Sequence, residues 1–285
     1  MTIPVRGACM KPYYEGWYLK QQQGDDLLAV IPGRAQDHAF VQVIAPRYSA
    51  YVPFPLSEYR LGACMQVGDS LFSRDGMDLQ VSTPEVELEG HLRYAGLTPL
   101  RSDIMGPFAF LPMETKHTVF SMRHEVQGSV TLNGTVHRFD DGVGYMEGDR
   151  GHSFPQGYTW VQSVDLPCDA SVMLAVATIP LGPLHFIGCI GIVALAGREY
   201  RFATYRGVRI VQADRQAVEV RQGPLRLRVE VPETRGHKLQ APTQGSMRRL
   251  IHESPAVPAH FTFACKGKTL LDAESPHTSF EFVEA

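Results

Sequence analysis

Tyr145, Glu147 and Asp149 stand at alternate positions of one short segment, 142–155. In a strand, all three side chains leave the same face. Arg150 and His152 follow at once, and Tyr158, Trp160 and Gln162 come soon after. Two carboxylates held this close repel unless a cation screens them. Beside apolar walls, one of them keeps its proton toward neutral pH. A neutral carboxylic acid in an apolar pocket is a proton donor, which makes Glu147 and Asp149 candidate catalytic acids. The plainer alternative is a surface loop whose acids pair with Arg150, because structural ion pairs also cluster.

The segment 11–20 sets Tyr13, Tyr14, Trp17 and Tyr18 around a single carboxylate, Glu15. Glu15 is a third candidate acid, and Tyr14 and Trp17 are candidate walls of an apolar pocket. Alternatively, Trp17 plugs a core and Glu15 pairs with a Lys or Arg, since aromatic clusters are usually core. The segment 239–254 reads by itself as a turn followed by a turn or two of helix over Gly245–Ser254, carrying His252 and Glu253 on a solvated surface. His117 and His124 differ by an odd number, so a regular strand sends them to opposite sides. With no His-x-His or His-x-x-x-His pair, no metal site is expected. Gly68-Asp69-Ser70-Leu71 matches the tag of a lipase-like hydrolase family, but its surroundings are strand-like and a turn is the better reading. No Gly-x-Ser-x-Gly elbow, phosphate loop or dinucleotide fingerprint occurs.

Strands must position these groups. Leu225, Leu227, Val229 and Val231 alternate with Arg226, Arg228 and Glu230, and Phe280 and Phe282 flank Glu281. Both patterns read as strands with one wet face. Asn133-Gly134 is a hairpin signal, and Asp75-Gly76, Asp141-Gly142 and Lys266-Gly267 read similarly. Residues 171–197 lack any Asp, Glu, Lys or Arg, a run long enough to cross a bilayer. Pro180, Gly182 and Pro183 interrupt it, so two buried strands joined there are expected instead of a membrane helix. Many short strands with frequent turns imply antiparallel barrels or sandwiches. A division near Phe139–Gly142 gives halves of barrel size, 1–140 and 141–285.

The chain has 285 residues and a formal net charge of -3. It is long enough for a substantial core, and nucleic acid is not an expected partner. Its five cysteines, Cys9, Cys64, Cys168, Cys189 and Cys265, form no Cys-x-x-Cys pair. Free thiols in a reducing cytosol are the expectation, and the N-terminus shows no signal-peptide core, so a cytoplasmic location is expected.

Taken together, the three segments resemble the tocopherol cyclase family. The family's Tyr-Tyr/Phe-Glu-Gly-Trp-Tyr opening is matched by Tyr13–Tyr18. Its central Gly-Tyr-x-Glu-Lys-Asn/Asp-Trp-Gly-x-x-Phe-Pro is matched in part by Gly144–Pro155. The following Trp-x-Gln is matched by Trp160–Gln162, and the late Leu-x-Ala-Pro-x-x-Gly-x-Met by Leu239–Met247. Gly148 and Arg150 depart from the family's Lys and Trp. The resemblance implies an all-β fold of two lipocalin- or calycin-like antiparallel halves, each a barrel or sandwich, with few short helices. It implies a pocket for an apolar small molecule, a prenyl quinol or another isoprenoid, with no cofactor and no metal, and it leaves transient membrane contact open. The implied chemistry is protonation of an alkene, with capture of the cation by a phenol oxygen in a cyclase or by water in a hydratase. Glu147 matches the family's Glu and is the preferred acid, with Asp149 and Glu15 behind it. Tyr14, Trp17, Tyr145, His152, Trp160, Gln162 and Glu253 are the expected substrate-binding residues. A carrier using the same pocket without turnover is the alternative, and a structural protein with a filled core is a third.

Overall fold

A computed structural model describes residues 12–181, 184–232 and 237–284. Cys9, Lys11 and the Gly182-Pro183 turn lie outside them. The chain forms strands joined by tight turns and 3-10 segments of at most five residues. The first sheet is 12-stranded. It comprises β1 (Tyr14–Gln23), β2 (Asp26–Arg34), β3 (His38–Ala45), β4 (Tyr48–Pro55), β5 (Tyr59–Leu61) and β6 (Met65–Val67), followed by β7 (Ser70–Phe72), β8 (Gly76–Ser82), β9 (Glu87–Ala95), β10 (Thr115–Leu132), β11 (Thr135–Arg138) and β12 (Gly142–Gly151). The second sheet is 10-stranded. It comprises β13 (Tyr158–Leu166), β14 (Ala170–Leu181), β15 (Leu184–Leu195), β16 (Arg198–Ala203) and β17 (Arg209–Ala213), followed by β18 (Ala217–Gln222), β19 (Leu225–Glu230), β20 (His237–Thr243), β21 (Ser246–Cys265) and β22 (Lys268–Val283).

Every pairing is antiparallel. The turns follow from residues that accept positive φ. Asn133-Gly134 (φ 49 and 80) joins β10 to β11, and Lys266-Gly267 (φ 53 and 76) joins β21 to β22. These are the two-residue hairpins that the dipeptides specify. The uncharged run is the β14–β15 hairpin, and no described helix is long and apolar enough to cross a membrane. Gly68 and Asp69 form the tight turn between β6 and β7. Cys64, Cys168, Cys189 and Cys265 are free thiols. Residues 246–254, expected as a short helix, are strand instead: β21 pairs with β20 on one side and β22 on the other. Local pattern misled here, because Met247, Leu250 and Ile251 recur at helical spacing in a segment that strand pairing holds extended.

The sheets change over between Gly151 and Tyr158, later than the turn residues at 139–142 suggest. β12 belongs to the first sheet, between β1 and β10. Each sheet curls around an apolar core of its own, and a third apolar cluster fills the seam between them. Central strands are therefore buried on both faces. Tyr18 and Tyr145 face the seam while Leu19 and Met146 face the first core. Trp160 and Met173 face the seam while Val161 and Val172 face the second core. Each such aliphatic side chain removed from water contributes about 1.5–3 kcal/mol.

The alternation of β12 decides what Gly148 and Arg150 do. Both lie on the face opposite to Glu147 and Asp149. Gly148 pairs with Trp17, and a Cβ there would meet Phe120 Cε2 at 2.8 Å and Trp17 Cδ1 at 3.0 Å. Arg150 is exposed and pairs with Glu15. These two departures from the family pattern leave the seam untouched. Overpacking predicts that Gly148→Ala destabilises the chain by about 1–3 kcal/mol, read as a fall in the midpoint of chemical denaturation.

Candidate active site

Strand register assembles a cluster of ionisable groups in the seam. Tyr18 on β1 stands opposite Glu147 on β12. His117 on β10 stands opposite Asp149, also on β12. In the second sheet, Glu281 on β22 stands between Trp160 of β13 and Glu253 of β21. A cavity of about 1420 Å³, its mouth included, opens here between the sheets. One sheet contributes His117, Glu147 and Asp149 to its wall, and the other contributes Tyr158, Trp160 and Glu281. Most of the remaining wall is apolar, with Met105, Phe108, Ile179, Phe186, Leu239 and Ile251 among its residues.

His117 bridges two carboxylates. Its Nδ1 lies 3.0 Å from Asp149 Oδ1, and its Nε2 lies 3.1 Å from Glu147 Oε2. The Tyr145 hydroxyl donates to that same Glu147 oxygen. Burial opposes a charged imidazole, but Glu147 and Asp149 outweigh it and hold His117 well above its ordinary value. An imidazolium between two carboxylates carries one net negative charge into an apolar chamber. Among the described residues, these three are the group whose ligand atoms could converge on a cation, within 4.8 Å of one another. Both imidazole nitrogens already face a carboxylate, so an ion would have to displace one partner.

On the other wall, two carboxylates face each other directly. Tyr158 donates to Glu281 at 2.6 Å and Tyr18 donates to Glu253 at 2.8 Å. Burial lifts both acids, and Glu253 adds to the lift on Glu281, which sits well above the usual carboxylate range. Tyr18 and Lys20 hold Glu253 down, so it rises only to about 7. Like charges directly opposed in a sheet are destabilising, and a retained proton removes the conflict. Glu281, half-buried and opening on the cavity, is a carboxylic acid aimed at whatever the cavity holds.

The structure gathers Glu147, Asp149, Tyr14 and Trp160 on the wall of this chamber, with Tyr145 buried behind Glu147. Tyr14 is buried, donates to Thr115 Oγ1 at 2.7 Å and lies edge-on to Phe154. Trp160 packs edge-on to Tyr18, with ring centroids 5.3 Å apart. Glu253, taken alone, reads as surface; it is fully buried, just behind Glu281. Gln162 is buried on the same face of β13 as Trp160, beside Ser279, and its amide atoms have no hydrogen-bond partner.

Glu15 and His152 fall elsewhere, and Trp17 is shared between the cavity wall and the first core. Glu15 leaves the other face of β1, accepts from Tyr13 at 3.0 Å and sits 4.0 Å from Arg34, which is the ion-pair alternative. Trp17 touches the cavity wall, yet its ring packs edge-on to Phe120 against the first core. His152 lies outside the cavity lining and ties its backbone to Glu114 and Gly245.

Sequence reasoning missed His117 and Glu281. His117 and His124 do face opposite sides: the His124 ring packs tilted against Tyr94 of the first core, while His117 faces the seam. Odd spacing could not tell that one of those sides was a chamber. Glu281 between two phenylalanines reads as the wet face of a strand, and the wet face is the cavity. The useful signal is a lone acid between aromatics in a strand that must be buried on both sides.

No protein-family model matches the chain, and no curated protein matches it. Solved structures do share its fold. An AttH protein from Nitrosomonas europaea is 14% identical with a TM-score of 0.57, and the alignment covers 99% of each chain. CghA bound to Sch210972 is 11% identical with a TM-score of 0.61, covering 96% of this chain and 89% of CghA. Kievitone hydratase from Nectria haematococca is 10% identical with a TM-score of 0.54, covering 96% and 89%. The chain is thus an all-β protein of the two-sheet, calycin-like architecture.

The titrations set a pH dependence of stability. His117 has a raised folded value, so its stabilisation is fully present below about 6.5 and is lost as pH rises through that folded value. Glu253 rises from 4.5 to about 7, so its penalty is absent below 4.5, grows between the two, and is constant above. Both slopes have the same sign. The melting temperature should fall between pH 5.5 and 8, and His117→Gln should flatten that fall when thermal unfolding is followed across the range.

Proposed function

We propose that this chain is a cofactor-independent acid catalyst that protonates an alkene in an apolar substrate and lets an oxygen nucleophile capture the cation. The observation that carries this reading is the layout across one apolar chamber: a half-buried carboxyl, Glu281, that its surroundings push toward the protonated form, in one sheet, and the Glu147–His117–Asp149 group in the other. Glu281 supplies the proton. The tertiary cation that forms meets the faces of Tyr14, Tyr18 and Trp160, and cation–π attraction is strongest where water is excluded. The negative group opposite adds preorganised stabilisation of the developing charge. The same group accepts the proton that the capturing hydroxyl loses, so no net proton is consumed. Capture by a phenol of the substrate closes a ring, and capture by water gives a hydration product.

The resemblance to tocopherol cyclases supports a prenylated quinol or another isoprenoid as substrate, and the shared fold of a solved kievitone hydratase keeps hydration in view. Phe110, 90% exposed, lies two residues beyond Phe108 of the cavity wall. An apolar residue set so near the chamber supports transient membrane contact while a lipid-like substrate loads, with the protein otherwise cytoplasmic.

The reading moves the acid from Glu147 to Glu281, and two variants separate these assignments. Glu281→Gln should lower turnover of prenyl quinols at least a hundredfold while leaving binding within about twofold. Glu147→Gln should cost less, through lost charge stabilisation. Mass-resolved chromatography identifies the product: unchanged mass with shifted retention is cyclisation, and a gain of one water is hydration. Full activity in Glu281→Gln with loss in Glu147→Gln would return the acid to Glu147. A ligand that stays bound and unchanged in the unaltered protein would make the chain a carrier.

A further inference from the structure

Lys20 is fully buried on β1, and the chemistry above makes no use of it. Its ammonium donates to Ser279 Oγ at 2.9 Å and to the His277 carbonyl at 2.7 Å. Ser279 Oγ lies 3.1 Å from the Tyr18 hydroxyl and 3.2 Å from the Pro255 carbonyl, the two acceptors between which its one proton can turn, and Tyr18 donates to Glu253 at 2.8 Å. Glu253 stands directly across from Glu281. A row of exchangeable groups thus runs along the seam from Glu253 to a buried amine, and Glu253 adjoins the cavity acid across the strand pair. Beyond Lys20, the Asp165–His277 pair at 3.2 Å reaches toward the surface, where His277 Nε2 lies 3.6 Å from exposed Asp25. The titratable groups facing Lys20 are Asp165 from β13, Glu253 from β21, Tyr145 opposite it on β12, and its own strand's Tyr18, with His277 at the outer end.

We propose that Lys20 is the proton store that reloads Glu281 after each turnover, passing a proton through Ser279, Tyr18 and Glu253. This rests on Glu281 being the donor to the substrate. The need for reloading follows from the layout. The proton leaves Glu281 on one wall, and the proton freed at capture arrives at the Glu147–His117–Asp149 group on the other. In the reset, an N–H bond of Lys20 breaks as Ser279 gains a proton, Ser279 hands its own to Tyr18, Tyr18 hands its own to Glu253, and the carboxyl pair ends protonated. The Lys20 amine then takes a proton from water at the His277 end. The opposite wall releases its proton to water through partly exposed Asp149. Protons therefore balance with water as the only co-reactant. Burial brings the Lys20 ammonium down to about 8, and Glu253 is lifted to about 7, so the transfer between them is close to level.

A merely structural Lys20 would act on every turnover alike, whereas a reloading Lys20 acts only after the first. The test is rapid-quench turnover with a prenyl quinol by the full chain, the Lys20→Met variant and the Ser279→Ala variant. The unaltered chain should show linear product formation. Both variants should release about one product per protein at the normal rate and then slow at least tenfold, with KM unchanged. If Lys20→Met fails to fold, Ser279→Ala, which keeps the lysine and breaks the row, decides alone. Linear, full-rate turnover in the folded variants overturns the relay and leaves the acid assignment standing. A first turnover slowed as much as later ones also overturns it, since the lysine would then be tuning the acid itself. No turnover in the unaltered chain removes the catalytic reading, and the relay with it.

Discussion

Glu253 and Glu281 face each other across adjacent strands, at the edge of a largely apolar seam. Ionising both would set like charges side by side in a low dielectric, a cost far larger than a hydrogen bond returns. The sheet is therefore viable only if a proton stays in the pair, and much of the surrounding structure serves that condition. Tyr18 and Tyr158 cap the two carboxyls, and the buried Lys20 ammonium lowers Glu253 from behind. Across the chamber, His117 stands between Glu147 and Asp149, and their proximity favours its charged form. One wall holds a proton and the other holds negative charge because each has a different way of resolving the same repulsion.

This arrangement needs two sheets, each with a finished core. Neither curled sheet depends on the seam for its own packing, so the seam can tolerate polar groups and empty space that a single core would not. The strands that border it are buried on both faces, which is why they lack clean alternation in sequence. Their two faces obey different rules. Toward its own core a strand carries aliphatic side chains at close packing. Toward the seam it carries Tyr, Glu, Asp, Lys and His in a register fixed by backbone hydrogen bonds rather than by side-chain contacts.

The all-β architecture was legible because turn dipeptides and period-two runs act locally. Asn133-Gly134 and Lys266-Gly267 specify their hairpins without help from the rest of the chain. The shared face of Tyr145, Glu147 and Asp149 was legible for the same reason. What could not be read is any pairing distant in sequence. Glu253 and Glu281 look like solvated residues until β21 and β22 lie side by side, and Lys20 looks like a surface cation until Ser279 is beside it. Gly245–Ser254 read as a short helix because nothing local announces a 20-residue strand. Glu15 drew attention by its aromatic neighbours, but its parity on β1 directs it away from Tyr14 and Tyr18.

The two faces of β12 have a consequence for how such a protein can change over generations. Met146 and Gly148 are answerable to close neighbours within the first sheet, while Tyr145, Glu147 and Asp149 answer to the occupant of the chamber. Odd positions are thus exposed to selection by the ligand and even positions to selection by packing. Lineages can diverge in chemistry along one set without renegotiating the other.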